Sequence, residues 1–258
     1  MNELPFMSLK YTSIFTIIGS LYLSGHSQSV KRVQQQQQCW VGYFSQVRFS
    51  DKWGVWSDFQ LRTKEYFFTD FSVSIIRYGM IYYINEQTKL VAGHAIIHYY
   101  PAEVHEYVTQ PEQRLWQLFQ WKNNYNGFEL TQAFRLEERF RRKILNDSIL
   151  ADGHNFNYRL RYSILAQVPL NRDLVKAKKV SLVFNSEVML NFGKEIVYNY
   201  FDQLRSFCGI NYQFHCHWIF QTGYMNVFQQ LPAGNRYKSL HVARLFLYYS
   251  LDTRKNKK

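Results

Sequence analysis

The sequence predicts an all-β fold: a single antiparallel, up-and-down transmembrane β-barrel of ten to twelve strands with a polar lumen. Three observations predict it. Apolar and polar residues alternate along most of the chain, aromatic residues make up 18% of it, and only the N-terminal region has an apolar run that approaches the length of a membrane helix. Successive side chains of a strand point to opposite faces, so alternation without long apolar runs indicates strands with one apolar and one polar face.

The N-terminal region has the pattern of a secretory signal peptide. Lys10 ends a short first region, an apolar stretch follows over residues 11–23, and small residues after it suit a cleavage site. The apolar stretch is too short for a membrane anchor. We therefore expect four segments: a signal peptide at 1–27, a polar glutamine-rich leader at 28–39, a barrel domain at 40–252 and a basic C-terminal tail at 253–258.

The alternation is clearest in the middle of the chain. From Phe128 to Phe140 the even positions are mostly apolar, whereas the odd positions from Glu129 to Arg141 are mostly charged. Such runs are longer than the mean globular strand of about 5–6 residues, and about 9–11 tilted residues cross a bilayer. The alternative, a soluble sandwich with an inward apolar face, is less consistent with the strand length and the signal peptide.

Turn residues divide the chain into strand-like segments. Eleven are recognised: 40–49, 53–64, 72–84, 88–100, 113–124, 127–142, 154–170, 178–192, 203–215, 217–230 and 238–251. Bacterial single-chain barrels have even strand numbers, so we favour twelve strands, the additional one preceding Trp40. The connections are alternately short (50–52, 85–87, 124–127) and longer (65–71, 101–112, 143–153), so the first segment is expected to run inward from the cell surface.

The polar face of the expected strands is rich in arginine. The formal net charge is +12, and because export argues against nucleic acid, the basic residues indicate anionic lipid or a basic lumen. We predict a lumen charge network of Arg62, Arg114, Arg135, Glu137, Arg139, Arg159, Arg161, Glu187 and Arg205, on a face that also carries Asp58 and Arg77. Side chains fill the interior of a small barrel and buried charges must be paired, so we interpret the network as structural. An anion-preferring pore or a site for an acidic solute is the alternative.

Glu137 is expected at the centre of this network. Arg135 and Arg139 flank it on the same face, and Arg159 and Arg161 follow on the next strand. If the two strands form a hairpin, several guanidinium groups surround one carboxylate.

The histidines and cysteines do not predict a metal centre. His94 and His98 lie about 13 Å apart on a strand, which is too far for one metal ion. The His215-Cys216-His217 sequence is interpreted as a surface turn, and Cys208 could form a disulfide with Cys216. We predict no metal and no cofactor.

The candidates for catalysis are equally weak. Ser186 beside Glu187 and His154 near Asp152 offer the residue types that hydrolysis requires, but nothing distinguishes them from ordinary loop residues. We predict no catalytic residue.

Several short motifs carry a family resemblance. They begin at Trp40, Lys52, Pro111, Arg135, Arg159, Phe184 and Phe201, and read WVGY, KWGV, PEQRLWQ, RLEERF, RLRY, FNSE and FDQLR. On these motifs, over roughly residues 40–252, the chain resembles an uncharacterised family of outer-membrane barrels found chiefly in Bacteroidetes, a domain of unknown function of the DUF2490 type. Gln113 stands where the family usually has His, and Leu204 where it usually has Asn. The resemblance implies a barrel and a membrane, but no reaction.

Two functions from different classes are therefore expected. The first is a non-enzymatic outer-membrane barrel, either a small-solute channel or a structural or assembly component. The second is an outer-membrane hydrolase acting on lipid or acylated glycan. The expected partners are outer-membrane lipid and lipopolysaccharide, with small anionic solutes as further candidates and nucleic acid excluded.

Overall fold

The computed structural model describes residues 31–64, 67–101, 106–170 and 179–254. Its elements are the strands β1 (Arg32–Arg48), β2 (Trp53–Thr63), β3 (Phe71–Tyr83), β4 (Thr88–Tyr99), β5 (Gln110–Tyr125), β6 (Phe128–Asn146), β7 (Ile149–Pro169), β8 (Lys179–Phe192), β9 (Phe201–His215), β10 (Trp218–Gln230) and β11 (Arg236–Asp252). These residues contain no helix that is both long and apolar enough to span a membrane. The expected signal peptide lies outside the described residues.

The strands form one closed barrel, which confirms the predicted all-β barrel fold. Consecutive strands pair antiparallel, in the expected up-and-down order, and β1 closes the barrel by pairing with β11 in parallel, from Arg32 opposite Arg236 to Arg48 opposite Asp252. The eleven strands of the described chain lie within the predicted range but are one fewer than the favoured twelve. The argument for an even number assumed that every pair is antiparallel, and the parallel seam removes that requirement.

Two boundaries differ from the expected ones. The glutamine run assigned to a leader at 28–39 is strand from Arg32 onward, because its backbone pairs with β11, and the side chain of Gln38 is buried. The long connection expected at 143–153 is mostly strand, since β6 and β7 continue pairing through two register shifts to Asn146 opposite Ile149.

The two ends of the barrel differ. At the turn end, short connections such as 126–127 and 216–217 join neighbouring strands, and β11 ends there. At the loop end, longer connections such as 64–70 and 193–200 join the strands, and β1 begins there. The first strand therefore runs from the loop end to the turn end, although the connection 170–178 at the turn end is long and 147–148 at the loop end is short, against the expected alternation of lengths.

The two faces of the wall are chemically opposite. On β6, Phe134 is 44% exposed on the outside, whereas Glu137 and Arg139 are buried inside. The outer face carries apolar side chains on β1 to β10, including Val41, Phe59, Ile76, Leu90, Phe119, Leu160, Phe184, Leu204 and Phe220. The inside holds most of the buried charge, as the predicted polar lumen requires.

Apolar side chains fill the middle of the interior. At this level the inward residues are Trp116, Leu118, Ala133, Leu165, Val183 and Phe207, which belong to or pack against two hydrophobic clusters. A Cβ at Gly223 would lie against the backbone oxygen of Cys208, 2.5 Å from the Cα of Gly209 and 2.9 Å from the phenyl ring of Phe207. Glycine at this inward position therefore makes room for both the paired backbone and the ring.

Candidate functional site: an arginine-lined cavity

A cavity of about 1100 Å³ occupies the loop-end half of the barrel. Twelve cationic side chains line it: Arg62, Lys64, Arg77, Arg114, Arg135, Arg139, Arg141, Arg159, Arg161, Arg205, Lys238 and Arg244. Four carboxylates line it: Asp70, Glu187, Glu195 and Asp202. The cavity is therefore strongly positive, and the positions of the carboxylates decide where its cations are neutralised.

Glu137 is surrounded by guanidinium groups. Its carboxylate accepts hydrogen bonds from Arg159 at 2.6 Å, from Arg161 at 2.7 Å and from Arg114 at 3.2 Å. Arg135 stays 4.0 Å away and lies over the ring of Trp116 instead. Alternation along β6 turns Glu137 inward, and the β6–β7 register places Arg159 directly opposite it.

Glu112 is a second centre of the same kind. It is 1% exposed and accepts from Arg139 at 2.9 Å and from Arg141 at 2.5 Å, and it also pairs with Arg114. Arg114 therefore bridges Glu112 and Glu137. The two carboxylates and their arginines form one connected network across β5, β6 and β7.

Two further carboxylates extend the network to β8 and β9. Arg159 donates to Asp202 at 2.8 Å, and Arg161 donates to Glu187 at 2.7 Å. Arg205 is 3.6 Å from Glu187. The pairing of β8 with β9 skips Asp202, which therefore forms a β-bulge. Because of this bulge, the consecutive residues Asp202 and Gln203 both lie on the lumen side.

A separate ion pair lies on the opposite wall. Arg77 of β3 meets Asp58 of β2 at 2.9 Å, and the indole of Trp56 also donates to Asp58 at 2.7 Å. Asp58 is 3% exposed and also accepts a hydrogen bond from the side-chain amide of Gln60 at 3.1 Å.

Three arginines near the β1–β11 seam have a different environment. The guanidinium carbon of Arg62 is 3.6 Å from the ring centroid of Trp40, and that of Arg205 is 5.0 Å from the same centroid. Arg244 lies over the ring of Phe207 at 4.4 Å. Among the described residues, neither Arg62 nor Arg244 forms an ion pair, and the Nε atom of each is buried without a hydrogen-bond partner.

The structure brings together eight of the nine residues of the predicted network; Arg62 lies apart from it. Sequence reasoning missed Glu112 and Asp202, because the predicted strands began at 113 and 203, whereas the observed strands begin at Gln110 and Phe201. A signal was present for Glu112, which lies two residues before Arg114 and therefore on the same face. The bulge at Asp202 left no comparable signal.

A smaller cavity of about 490 Å³ lies at the turn end and shares no lining residue with the first. On β8, Asn185 lines the large cavity and Ser181 the small one, and the inward residue between them is the buried Val183. On β9, the buried Phe207 lies between Arg205, which lines the large cavity, and Asn211, which lines the small one. An apolar layer therefore separates the two cavities along these strands.

An ion cluster of one buried and several more exposed side chains marks the turn end. Arg48 donates to Glu86 at 2.6 Å, and Arg254 donates to Glu86 at 3.1 Å and to Asp252 at 2.6 Å. The hydrogen bonds from Arg48 hold the pKa of Glu86 below its ordinary value, and that from Arg254 lowers the pKa of Asp252 to about 2.

The residues considered for hydrolysis do not converge. Ser186 faces outward while Glu187 faces the lumen, and the side chains of His154 and Asp152 are exposed beyond the cavity. Alternation along the strand separates the first pair, so these residues form no catalytic group.

The cysteines and histidines are equally dispersed. All three cysteines are free, and Cys208 lies about 25 Å along β9 from the turn that holds Cys216, beyond disulfide reach. The ring of His215 contacts the thiol of Cys216 in this turn, and His217 bonds to Ser250. No group of three or more metal-binding side chains occurs in the described part of the chain.

The fold and the interior together define a β-barrel whose lumen is rich in arginines, many of which pair with buried carboxylates. A family model described as "Protein of unknown function (DUF2490)" matches residues 37–238, and the chain belongs to this family, as its motifs indicated. No curated protein and no solved structure matches the chain. Gln113 and Leu204 both face outward, away from the cavity.

Proposed function

We propose that this chain is a non-catalytic β-barrel of the bacterial outer membrane, with its apolar outer face against lipid. The observation that carries this proposal is the inversion of the wall, with apolar side chains exposed on β1 to β10 and charged side chains inside. Water-soluble monomers rarely expose continuous apolar surface on this scale, whereas lipid-facing strands require it.

The aromatic residues support the same proposal. Stacked outer pairs lie near both ends, such as Tyr125 with Phe128 at the turn end and Tyr158 with Phe192 at the loop end. On β6, Phe128 and Phe140 are separated by about 40 Å of strand, or about 30 Å in height at a tilt of 35–45°. This is close to the thickness of a hydrocarbon core of about 30 Å. The outer-membrane lipids and lipopolysaccharide are accordingly the proposed partners.

Between the two non-catalytic roles, the interior favours a structural component over an open channel. The charged side chains are held by ion pairs across β5 to β9, and an apolar layer lies between the two cavities. An open aqueous pore needs a continuous polar path, which these apolar side chains interrupt. The alternative of a hydrolase gains no support, since its candidate residues lie on different faces.

Two measurements test the proposal. The protein should fractionate with outer membranes and migrate faster on a detergent gel when unboiled than when boiled. In a planar bilayer the folded protein should give no steady conductance. Recovery as a soluble periplasmic monomer would exclude the membrane barrel, and a stable ohmic current would replace the structural role with that of a channel.

A further inference from the structure

We propose that the seam-side wall of the large cavity is a binding site for a small solute with at least two negative charges on carboxylate or phosphate oxygens. Arg62, Arg205 and Arg244, grouped around Trp40, form this site. The inference goes beyond the structural role and does not depend on membrane insertion.

The first argument is charge. In the described interior, Asp58 pairs with Arg77, while Glu112, Glu137, Glu187 and Asp202 pair with arginines across β5 to β9. Of the three arginines around Trp40, Arg62 and Arg244 form no ion pair among the described residues, and Arg205 is paired only with Glu187, at 3.6 Å. These side chains are partly buried, and a cation without a carboxylate partner in a partly buried cavity attracts a dissolved anion more strongly than one in open water.

The second argument is the geometry of the donors. The guanidinium groups of Arg62 and Arg205 both lie near the ring of Trp40. This arrangement holds two positive charges close together. Ring faces attract cations but offer no hydrogen-bond acceptor, and the buried Nε atoms of Arg62 and Arg244 lack one in the described structure. Oxygen atoms of a carboxylate or phosphate fit these planar donor forks in a bidentate way.

The third argument is access. The cavity extends to the loop end, where Lys64 and Lys238 line it. Cations at the mouth of a low-dielectric cavity steer anions toward it. A volume of about 1100 Å³ is ample for a small solute, and amide groups such as that of Gln203 line the same space and can bind its neutral parts.

The test is calorimetric titration of the full folded chain in detergent with citrate, pyrophosphate or lipopolysaccharide, at ionic strength matched with sodium chloride. We expect saturable binding of at least one probe and none of chloride. Citrate, pyrophosphate and lipopolysaccharide separate a free carboxylate, a free phosphate and a lipid-borne phosphate as sources of the charge. Saturation by none of the three overturns the proposal.

Variants locate the site. Arg62→Gln and Arg244→Gln should each weaken binding at least tenfold, and Arg62→Lys should weaken it less because it keeps the charge. The matched control is Arg254→Gln at the turn end, which should bind as the unaltered protein does. Equal affinity in Arg62→Gln, Arg244→Gln and the control would place the anion elsewhere and overturn the assignment.

A folding readout separates binding from a purely structural role. Arg62→Gln removes one of several neighbouring positive charges. Without ligand, this variant should therefore be at least as resistant to urea as the unaltered protein. Added anion should then raise the urea midpoint of the unaltered protein but not that of the variant. Marked destabilisation of both Arg62→Gln and Arg244→Gln without ligand would show that these arginines brace the wall, against the proposal.

Discussion

Replacing Glu137 with glutamine removes one negative charge from the centre of the network while keeping nearly the same shape. Glu137 is 2% exposed and accepts hydrogen bonds from Arg114, Arg159 and Arg161. A glutamine keeps one oxygen acceptor, but its amide NH₂ group faces guanidinium donors. The variant therefore loses charge-assisted hydrogen bonds and brings like charges together.

The magnitude follows from what each arginine retains. Removing one partner of a buried ion pair costs about 3–5 kcal/mol. Here Arg159 keeps Asp202, Arg161 keeps Glu187 and Arg114 keeps Glu112, so none is left without a carboxylate. We therefore expect Glu137→Gln to lower the free energy of unfolding by about 3 kcal/mol, at the low end of that range.

Arg135→Gln is the matched control. Arg135 lies on the same strand, two residues away, but is 4.0 Å from Glu137 and over the ring of Trp116. Its loss removes a cation from a region with excess positive charge, so we expect a cost below about 1 kcal/mol. The double variant Arg135→Gln/Glu137→Gln should lose less than the sum, because removing the cation offsets part of the missing carboxylate.

Urea unfolding in lipid vesicles, followed by tryptophan fluorescence, measures these differences. With a slope of about 2 kcal/mol per molar urea, the Glu137→Gln midpoint should fall by about 1.5 M. If Glu137→Gln and Arg135→Gln cost the same, or if neither exceeds about 1 kcal/mol, the interior is hydrated enough to screen its charges. The argument for a braced lumen would then fail.

Three further changes test other parts of the molecule. Leu160→Arg on the outer face should destabilise the barrel in vesicles by about 2–4 kcal/mol, whereas Phe68→Arg, on an exposed loop, should be neutral by the same urea assay. Gly223→Val places its Cβ against the backbone oxygen of Cys208, the Cα of Gly209 and the ring of Phe207, so the paired strands must shift and the change should cost about 1–3 kcal/mol in thermal or urea unfolding; unchanged stability would mean that the strands yield without cost. Arg48→Gln should raise the pKa of Glu86 toward its ordinary value of 4.5, as measured by NMR titration of labelled carboxylates; an unmoved pKa would contradict the turn-end cluster. Folding depresses the pKa of Glu86. The pairing of Glu86 with Arg48 therefore stabilises the fold at pH values above 4.5, and this stabilisation is lost as the pH falls through the depressed pKa.

The fold was predictable because alternation is a local property. One face of residues 128–141 is apolar and the other charged, so the strand, its faces and its approximate ends follow from side-chain geometry alone. The closure was not predictable in the same way. The pairing of Arg32 with Arg236 joins strands at opposite ends of the chain, and glutamine-rich β1 carries no apolar pattern at its start to reveal it.

The sequence predicts which charged residues face the interior, but it predicts less well which of them contact one another. Alternation indicated which arginines share a face, but not which of them have a carboxylate within reach, since that depends on the register of neighbouring strands. Arg62 and Arg159 have the same pattern in the sequence, yet one lies over an indole ring and the other between two carboxylates. The bulge at Asp202, which decides part of that difference, arises from pairing between strands and left no local pattern.

The parallel seam also constrains the order of folding. Every other pair joins strands that follow one another along the chain and can form as hairpins, whereas β1 must wait for β11, the last strand of the sequence. Until then both strands have an unpaired edge, and an open sheet edge is prone to wrong pairing. Closing so long a loop carries the largest entropic cost of any pairing in the molecule. The seam should therefore form late and limit the rate of refolding, and a chain truncated before Arg236 should leave the edge of β1 open to other chains.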